Sequence, residues 1–365
     1  MKKFKYIKVQ LLIFLSGIIL LELIFGDWIV ERDKLNQLGI LRNVYYEYNP
    51  YDLYQTNEKA IYKRDQYGIR GESVAGQPSK INILTIGGST TDQRYITEKK
   101  TWQAILESNF KESGQNLNVA NAGLDGFSSH GHVQSFEHWF NKIPELKPKV
   151  ILFYIGINDF FKILSEQRED NIFQGVGKRY RPQNKTFYRE KSAFYHLYIK
   201  IKGIYFAEKM QLRNSKIETT NQFEKLEKTI DYDSLKWFQD GLLEFEYRLQ
   251  QLMDYSKSMG SQVVLVTQPT NHYRVMSTGE ILSLNDLLTA HNHRFNGIDI
   301  YNGLNLLYER MEQKAKQNNA LYFNYFKDYR ADDKDFYDYV HMTPQGTNKV
   351  GHYIFESLKR ETVIN

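Results

Sequence analysis

ILTIGGSTTDQ, residues 83–93, decides how this chain folds: an apolar run of strand length breaks abruptly into Gly87 and Gly88, and Ser89 follows at once. Such an exit allows two readings. Ser89 caps a helix that follows the strand, or it is a nucleophile held at the edge of a sheet. The two glycines favour a tight, uncrowded turn under either reading.

Four further runs of strand length recur downstream: NLNVANAG (116–123), KVILFYIG (149–156), QVVLVTQP (262–269) and ALYFNYF (320–326). Longer amphipathic stretches separate them. Helices are predicted from Thr101 through TWQAILESNFKES, from Asp233 to Met259, from Gly303 to Asn319, and from Thr343-Pro344 to about Arg360. Thr343 suits the cap of the last and Pro344 its first turn. Strands alternating with helices predict an α/β fold in which helices cover both faces of a central parallel sheet, a three-layer α/β/α arrangement of flavodoxin-like type. Residues 31–80, polar and tyrosine-rich, are read as a stalk and lead-in that packs on the domain. The charged section 165–232 breaks the alternation and is read as an insertion over one end of the sheet. The expected organisation is therefore residues 1–30, 31–80 and 81–365 as anchor, lead-in and catalytic domain.

Ligands of an open parallel sheet bind at the carboxyl ends of its strands. Ser89 follows the first run, Gly126 follows the second within NAGLDG, and Asn158 follows the third within GIND, so all three are expected along one edge. A nucleophilic serine needs a general base, and a histidine in that role needs a carboxylate to fix its tautomer. DFYDYVHMTPQG supplies Asp338 and His341, three residues apart, between the last strand and the last helix. Each piece alone is common; the ordered set is what points to acyl transfer.

Composition narrows the alternatives. There are 48 basic and 43 acidic residues and no long basic block, so nucleic acid is not an expected partner. With no cysteine there is no disulfide, thiolate metal site or cysteine nucleophile. His130, His132 and His138, like His291 and His293, have spacings open to a metal, but no carboxylate cluster accompanies them. They are read as solvated or capping residues, and neither metal nor cofactor is expected. The 27 Tyr and 22 Phe are read chiefly as packing residues.

At the N-terminus, Lys2, Lys3, Lys5 and Lys8 precede VQLLIFLSGIILLELIF, residues 9–25. Extended through Val30, this run reaches the roughly 20 residues that a membrane-crossing helix needs. The lysines favour a cytoplasmic N-terminus and so place the rest beyond the membrane. No small-residue cleavage site follows, so an uncleaved signal anchor is expected.

The four blocks together resemble the SGNH hydrolase superfamily, also called the GDSL esterases, over roughly residues 64–360. The resemblance implies that Ser89 is the nucleophile and Asp338 and His341 complete a triad. It also implies an oxyanion hole formed by the backbone N–H groups of Ser89 and Gly126 with the Asn158 amide, Gly123 being the alternative glycine. RDQYGIRGE, ahead of the first block, is similar to the lead-in of membrane-attached bacterial members. Gly88 departs from the GDS pattern, which has Asp there, but GGST looks like the variant of envelope-associated members. The function implied is a serine esterase or O-acyltransferase, with acetyl the expected acyl group, acting on an acylated envelope glycan or small ester at the bacterial periplasm or cell surface. A non-catalytic subunit that uses the same scaffold to bind glycan, or to dock as an accessory onto a multi-pass membrane acyltransferase, is the alternative.

Overall fold

The computed structural model describes residues 2–29, 35, 38–165, 191–195, 197–198, 201–202, 205, 223–285 and 288–361. Most of the expected insertion, residues 166–190 and 206–222 among them, thus lies outside the described residues.

All five apolar runs form strands of one parallel sheet: β3 (Ile83–Gly87), β4 (Val119–Asn121), β5 (Val150–Tyr154), β6 (Gln262–Val266) and β11 (Leu321–Phe323). Their spatial order is β11-β6-β5-β3-β4, and every neighbouring pair is parallel. Counted along the chain this is the 2-1-3-4-5 order, whose direction reverses between β3 and β5. The strands read as continuous apolar runs because both faces are covered. On one face Ile83, Leu152, Tyr154 and Val264 meet α2 (Trp102–Glu112) and α7 (Pro344–Arg360), which pack on each other through Trp102, Leu106, Phe110, Ile354 and Phe355. On the other, Leu84, Ile86, Ile151, Phe153 and Leu265 meet α3 (Ser129–His138), α4 (Ile157–Leu164), α5 (Lys236–Ser258) and α6 (Gly297–Gln317). The α/β/α layering is thus the alternation of strand side chains made visible.

Helix ends follow their chemistry. The Thr101 and Thr343 hydroxyls accept from the N–H groups of Ala104 and Gly346. The helix expected from Gly303 begins at Gly297, because Asn296 and Asp299 form a reciprocal capping box six residues earlier than the amphipathic pattern suggested. The one expected from Asp233 begins at Lys236, after a 3-10 turn at Tyr232–Ser234.

Two regions add structure to the sequence reading. In the lead-in, β1 (Val44–Tyr48) and β2 (Ala60–Arg64) form an antiparallel hairpin. Between β6 and α6, β7 (Tyr273–Val275) pairs with β8 (Ile281–Ser283) and β9 (Leu288–Ala290) with β10 (His293–Phe295). At the N-terminus α1 spans Lys2–Phe25, and its segment Tyr6–Phe25 is long and apolar enough to cross a membrane.

Candidate active site

The carboxyl ends of β3 and β5, at the point where strand order reverses, carry Ser89 and Asn158. Ser89 is the first residue of a short helical turn, Ser89–Asp92, with Gly88 rather than Ser89 in the capping position. Its hydroxyl is engaged elsewhere: Ser89 Oγ lies 2.7 Å from His341 Nε2. On the far side of the ring, His341 Nδ1 lies 2.7 Å from Asp338 Oδ2. With the ring proton on Nδ1 donating to Asp338, Nε2 is left to accept from the serine. Asp338 is fixed in turn, because its Oδ1 accepts from the backbone N–H groups of Val340 (2.9 Å) and His341 (2.6 Å). The three-residue spacing of Asp338 and His341 therefore closes a tight turn that aims the imidazole. The Tyr337 ring stacks on it, 5.7 Å between centroids and 8° from parallel.

Electrostatics suit a base. Burial on its own would lower the His341 pKa, but the adjoining Asp338 carboxylate, helped by Asp125, reverses this, and the net shift is upward.

Asn158 opens α4 and its Nδ2 donates to Phe127 O at 2.7 Å. An amide nitrogen has two hydrogens, so one remains for a substrate oxygen. The glycine before Ser89 makes room for it: a Cβ on Gly88 would stand 2.5 Å from Asn158 Nδ2 and 3.0 Å from Phe127 O. Gly126 has φ +75°, in the region that favours glycine, and its N–H is directed to the Asp125 carboxylate. The N–H of Gly123 donates to Asn121 Oδ1 at 2.8 Å, and a Cβ on Gly123 would stand 2.3 Å from the Asp92 nitrogen.

Two groups near Ser89 escaped the sequence reading. Gln268, just after β6, donates to Thr90 Oγ1 at 2.6 Å and accepts from Ile157 N–H at 3.1 Å, tying the Ser89 turn to the start of α4. The strand-end rule applied to the fourth run would have found it. From the lead-in come Arg64 and Arg70, both buried. Arg64 pairs with Asp92 at 2.6 Å, shares that carboxylate with Tyr62, and donates to Gly123 O. Arg70 pairs with Glu98 at 2.7 Å and donates to the carbonyls of Asp92, Gln93 and Ile96. The chain leaving Ser89 is thus held by two guanidinium groups from the segment RDQYGIRG, whose planar forks satisfy several acceptors at once.

The competing histidines are corrected in part. His130 and His132 are buried rather than solvated, and burial drives the His132 pKa down to about 3. His291 stacks on Trp237, 3.8 Å between centroids. Among the described residues no three His, Asp or Glu side chains converge as metal ligands.

The family model described as GDSL-like Lipase/Acylhydrolase matches residues 83–354. No curated protein matches the chain. Similar solved structures include the acetyl xylan esterase AlAXEase, 12% identical, covering 76% of this chain and 100% of its own, with a TM-score of 0.43. TesA is 11% identical over 77% and 99% of the two chains, at 0.43. The psychrotrophic esterase EstA from Pseudoalteromonas sp. is 11% identical over 77% and 98%, at 0.38.

Proposed function

The chain belongs to the GDSL-like lipase/acylhydrolase family and is a serine hydrolase acting on esters; from that premise we propose that Ser89, His341 and Asp338 are its catalytic triad and that it handles O-acyl groups, acetyl foremost, of an envelope glycan. The observation that carries this reading is the unbroken relay of two 2.7 Å contacts from Ser89 through His341 to Asp338.

In the mechanism His341 Nε2 takes the Ser89 proton as Oγ attacks the ester carbonyl carbon. Negative charge then develops on the carbonyl oxygen, and the backbone N–H of Ser89 and the second Nδ2 hydrogen of Asn158 stabilise it. The Gly126 N–H is the third donor that the family resemblance implies. His341 returns its proton to the departing alkoxide, leaving an acyl-serine. Water or a sugar hydroxyl, deprotonated by His341, attacks that acyl group and frees Ser89. Water as acceptor gives an esterase and a sugar hydroxyl gives a transferase.

Location is part of the proposal. Lys2, Lys3, Lys5 and Lys8, ahead of the apolar run within α1, support a cytoplasmic N-terminus and an extracytoplasmic catalytic domain in a single-pass protein, with residues 1–30 as tip and anchor. The contacts of Arg64 and Arg70 argue for counting the lead-in from about residue 60 with the catalytic unit that continues to residue 365. Incubating the protein with an acetylated chromogenic ester and a glycan acceptor tests the reaction. Chromophore release with free acetate identifies the esterase, and acetylated glycan identifies the transferase. Neither product would sink the catalytic reading and return the accessory-subunit reading to first place.

A further inference from the structure

Glu22 sits in the last turn of α1, yet its carboxylate is fully engaged. It accepts from Trp28 Nε1 at 2.9 Å, Ser192 Oγ at 2.6 Å, and the backbone N–H groups of Ala193 at 2.9 Å and Phe194 at 3.2 Å. The N–H of Asp27 donates to Lys191 O at 2.8 Å, and the same carbonyl approaches Gly26 so closely that a Cβ there would lie 2.6 Å from it. A helical segment starting at residue 193, with Tyr195 N–H donating to the Ser192 hydroxyl at its head, is therefore fastened to the end of the apolar helix, although some 170 residues of chain separate them. A carboxylate in an otherwise apolar run is costly to place in a bilayer unless it is hydrogen-bonded, and these four donors meet that need.

The described residues of this segment are helical at 193–195, 197–198, 201–202 and 205. Phe194, Leu197, Tyr198, Ile201 and Tyr205 are all exposed, from 42% at Phe194 to 68% at Tyr205. At about 100° per residue these five described positions fall within an arc of about 100°, an apolar and aromatic stripe. Lys202 lies at one edge of that arc, where a long cationic side chain reaches back to water or to lipid phosphate. Large apolar side chains turned outward on one helical face mark a contact surface.

We propose that this stripe lies on the bilayer surface, as an interfacial helix that rests the protein on the membrane beside the emerging anchor. The occupant is lipid rather than another protein for a reason of position. The segment begins at the level of Glu22, within one turn of the end of α1, which places it at the boundary of headgroups and acyl chains, where tyrosine and tryptophan are favoured and amphipathic helices bury one face about 5–10 Å deep. The Glu22 and Asp27 contacts thus set the angle at which the chain leaves the membrane. The inference rests on the membrane-spanning reading of α1.

The lack of any native cysteine makes the test clean. Full-length protein carrying one of Phe194→Cys, Leu197→Cys, Tyr198→Cys, Ile201→Cys or Tyr205→Cys is spin-labelled and reconstituted in vesicles of phosphatidylethanolamine and phosphatidylglycerol. Leu15→Cys serves as anchor control, and Lys202→Cys and Tyr247→Cys as controls at the edge of the stripe and on the domain. Collisions with dissolved oxygen are expected to exceed collisions with a water-soluble nickel chelate at the five stripe positions and at residue 15, and the order to reverse at residues 202 and 247. A lipid signal at residue 15 with nickel-accessible stripe labels would overturn the interfacial helix and leave the anchor standing. A water signal at residue 15 would instead overturn the membrane-spanning reading itself. Dipolar broadening between stripe labels that disappears on dilution with unlabelled protein would assign the face to a second copy and refute the lipid contact.

Discussion

Arg64 and Asp92 form a buried ion pair of 2.6 Å, joining the end of the β1–β2 hairpin to the residue three places after Ser89. Both side chains are almost wholly withdrawn from water, and Asp92 also accepts from the Tyr62 hydroxyl at 2.8 Å. Taking away one member of such a pair leaves an uncompensated buried charge, which costs about 3–5 kcal/mol. Arg64→Ala is expected to lose stability on that scale in urea unfolding, and a chain beginning at residue 81, which lacks Arg64 and Arg70 together, is expected not to yield active enzyme. A loss below about 1 kcal/mol, or full activity from the shortened chain, would show that the lead-in is dispensable to the site.

Asn158 is proposed to supply one oxyanion donor, and losing such a donor costs about 2.7–4 kcal/mol, or roughly 100- to 1000-fold in turnover. Asn158→Ala should show that fall in kcat while the protein stays folded, with a stability loss of only about 1 kcal/mol from the missing bond to Phe127 O. Full turnover would remove Asn158 from the oxyanion hole.

Gly88→Ala adds one carbon 2.5 Å from the Asn158 amide nitrogen. Because Asn158 is anchored to Phe127 O at 2.7 Å, the new carbon must push the amide from its place. Turnover is expected to drop toward the Asn158→Ala level while the fold survives, overpacking of this kind costing about 1–3 kcal/mol. A variant as active as the parent would show that the room beside Gly88 is not what seats the amide.

His341 is a base only when neutral, so a raised pKa moves the loss of activity on the acid side upward. The acid limb of kcat/KM should have its midpoint above about 6.5, the ordinary histidine value. In Asp338→Asn the carboxylate that lifts the pKa is gone and burial prevails, so that limb should move down. Turnover should also fall by about 10⁴-fold, as the ring loses the partner that fixes its tautomer. A limb unmoved by Asp338→Asn would mean that some other group governs it.

The parallel sheet was legible because its strands are buried on both faces and so stand out as short apolar runs; even three-residue β4 and β11 sit inside such runs. Hairpin β1–β2 was not, since Tyr45, Tyr46 and Glu47 of β1 are exposed and the buried face of β2 is made by Ala60, Tyr62 and Arg64, which do not read as an apolar stripe. Strands β7 to β10 are three residues each, too short for any period to emerge. Within the site, residue type and strand-end position were enough to bring Ser89, Asn158, Asp338 and His341 to one place. The direction of the Gly126 N–H depends on where the Asp125 carboxylate turns, which no spacing encodes. Buried polar groups such as Arg64, Arg70 and His132 escape hydrophobic patterning altogether, because their burial depends on partners distant in sequence.

The central claim is that His341 activates Ser89. A fluorophosphonate probe modifies only a serine made nucleophilic by its base, so the parent protein should be labelled, with the adduct located by peptide mass at Ser89, and labelling should vanish in His341→Ala and in Ser89→Ala. Labelling that persists in His341→Ala, an adduct on another serine, or no labelling of the folded parent would contradict the account.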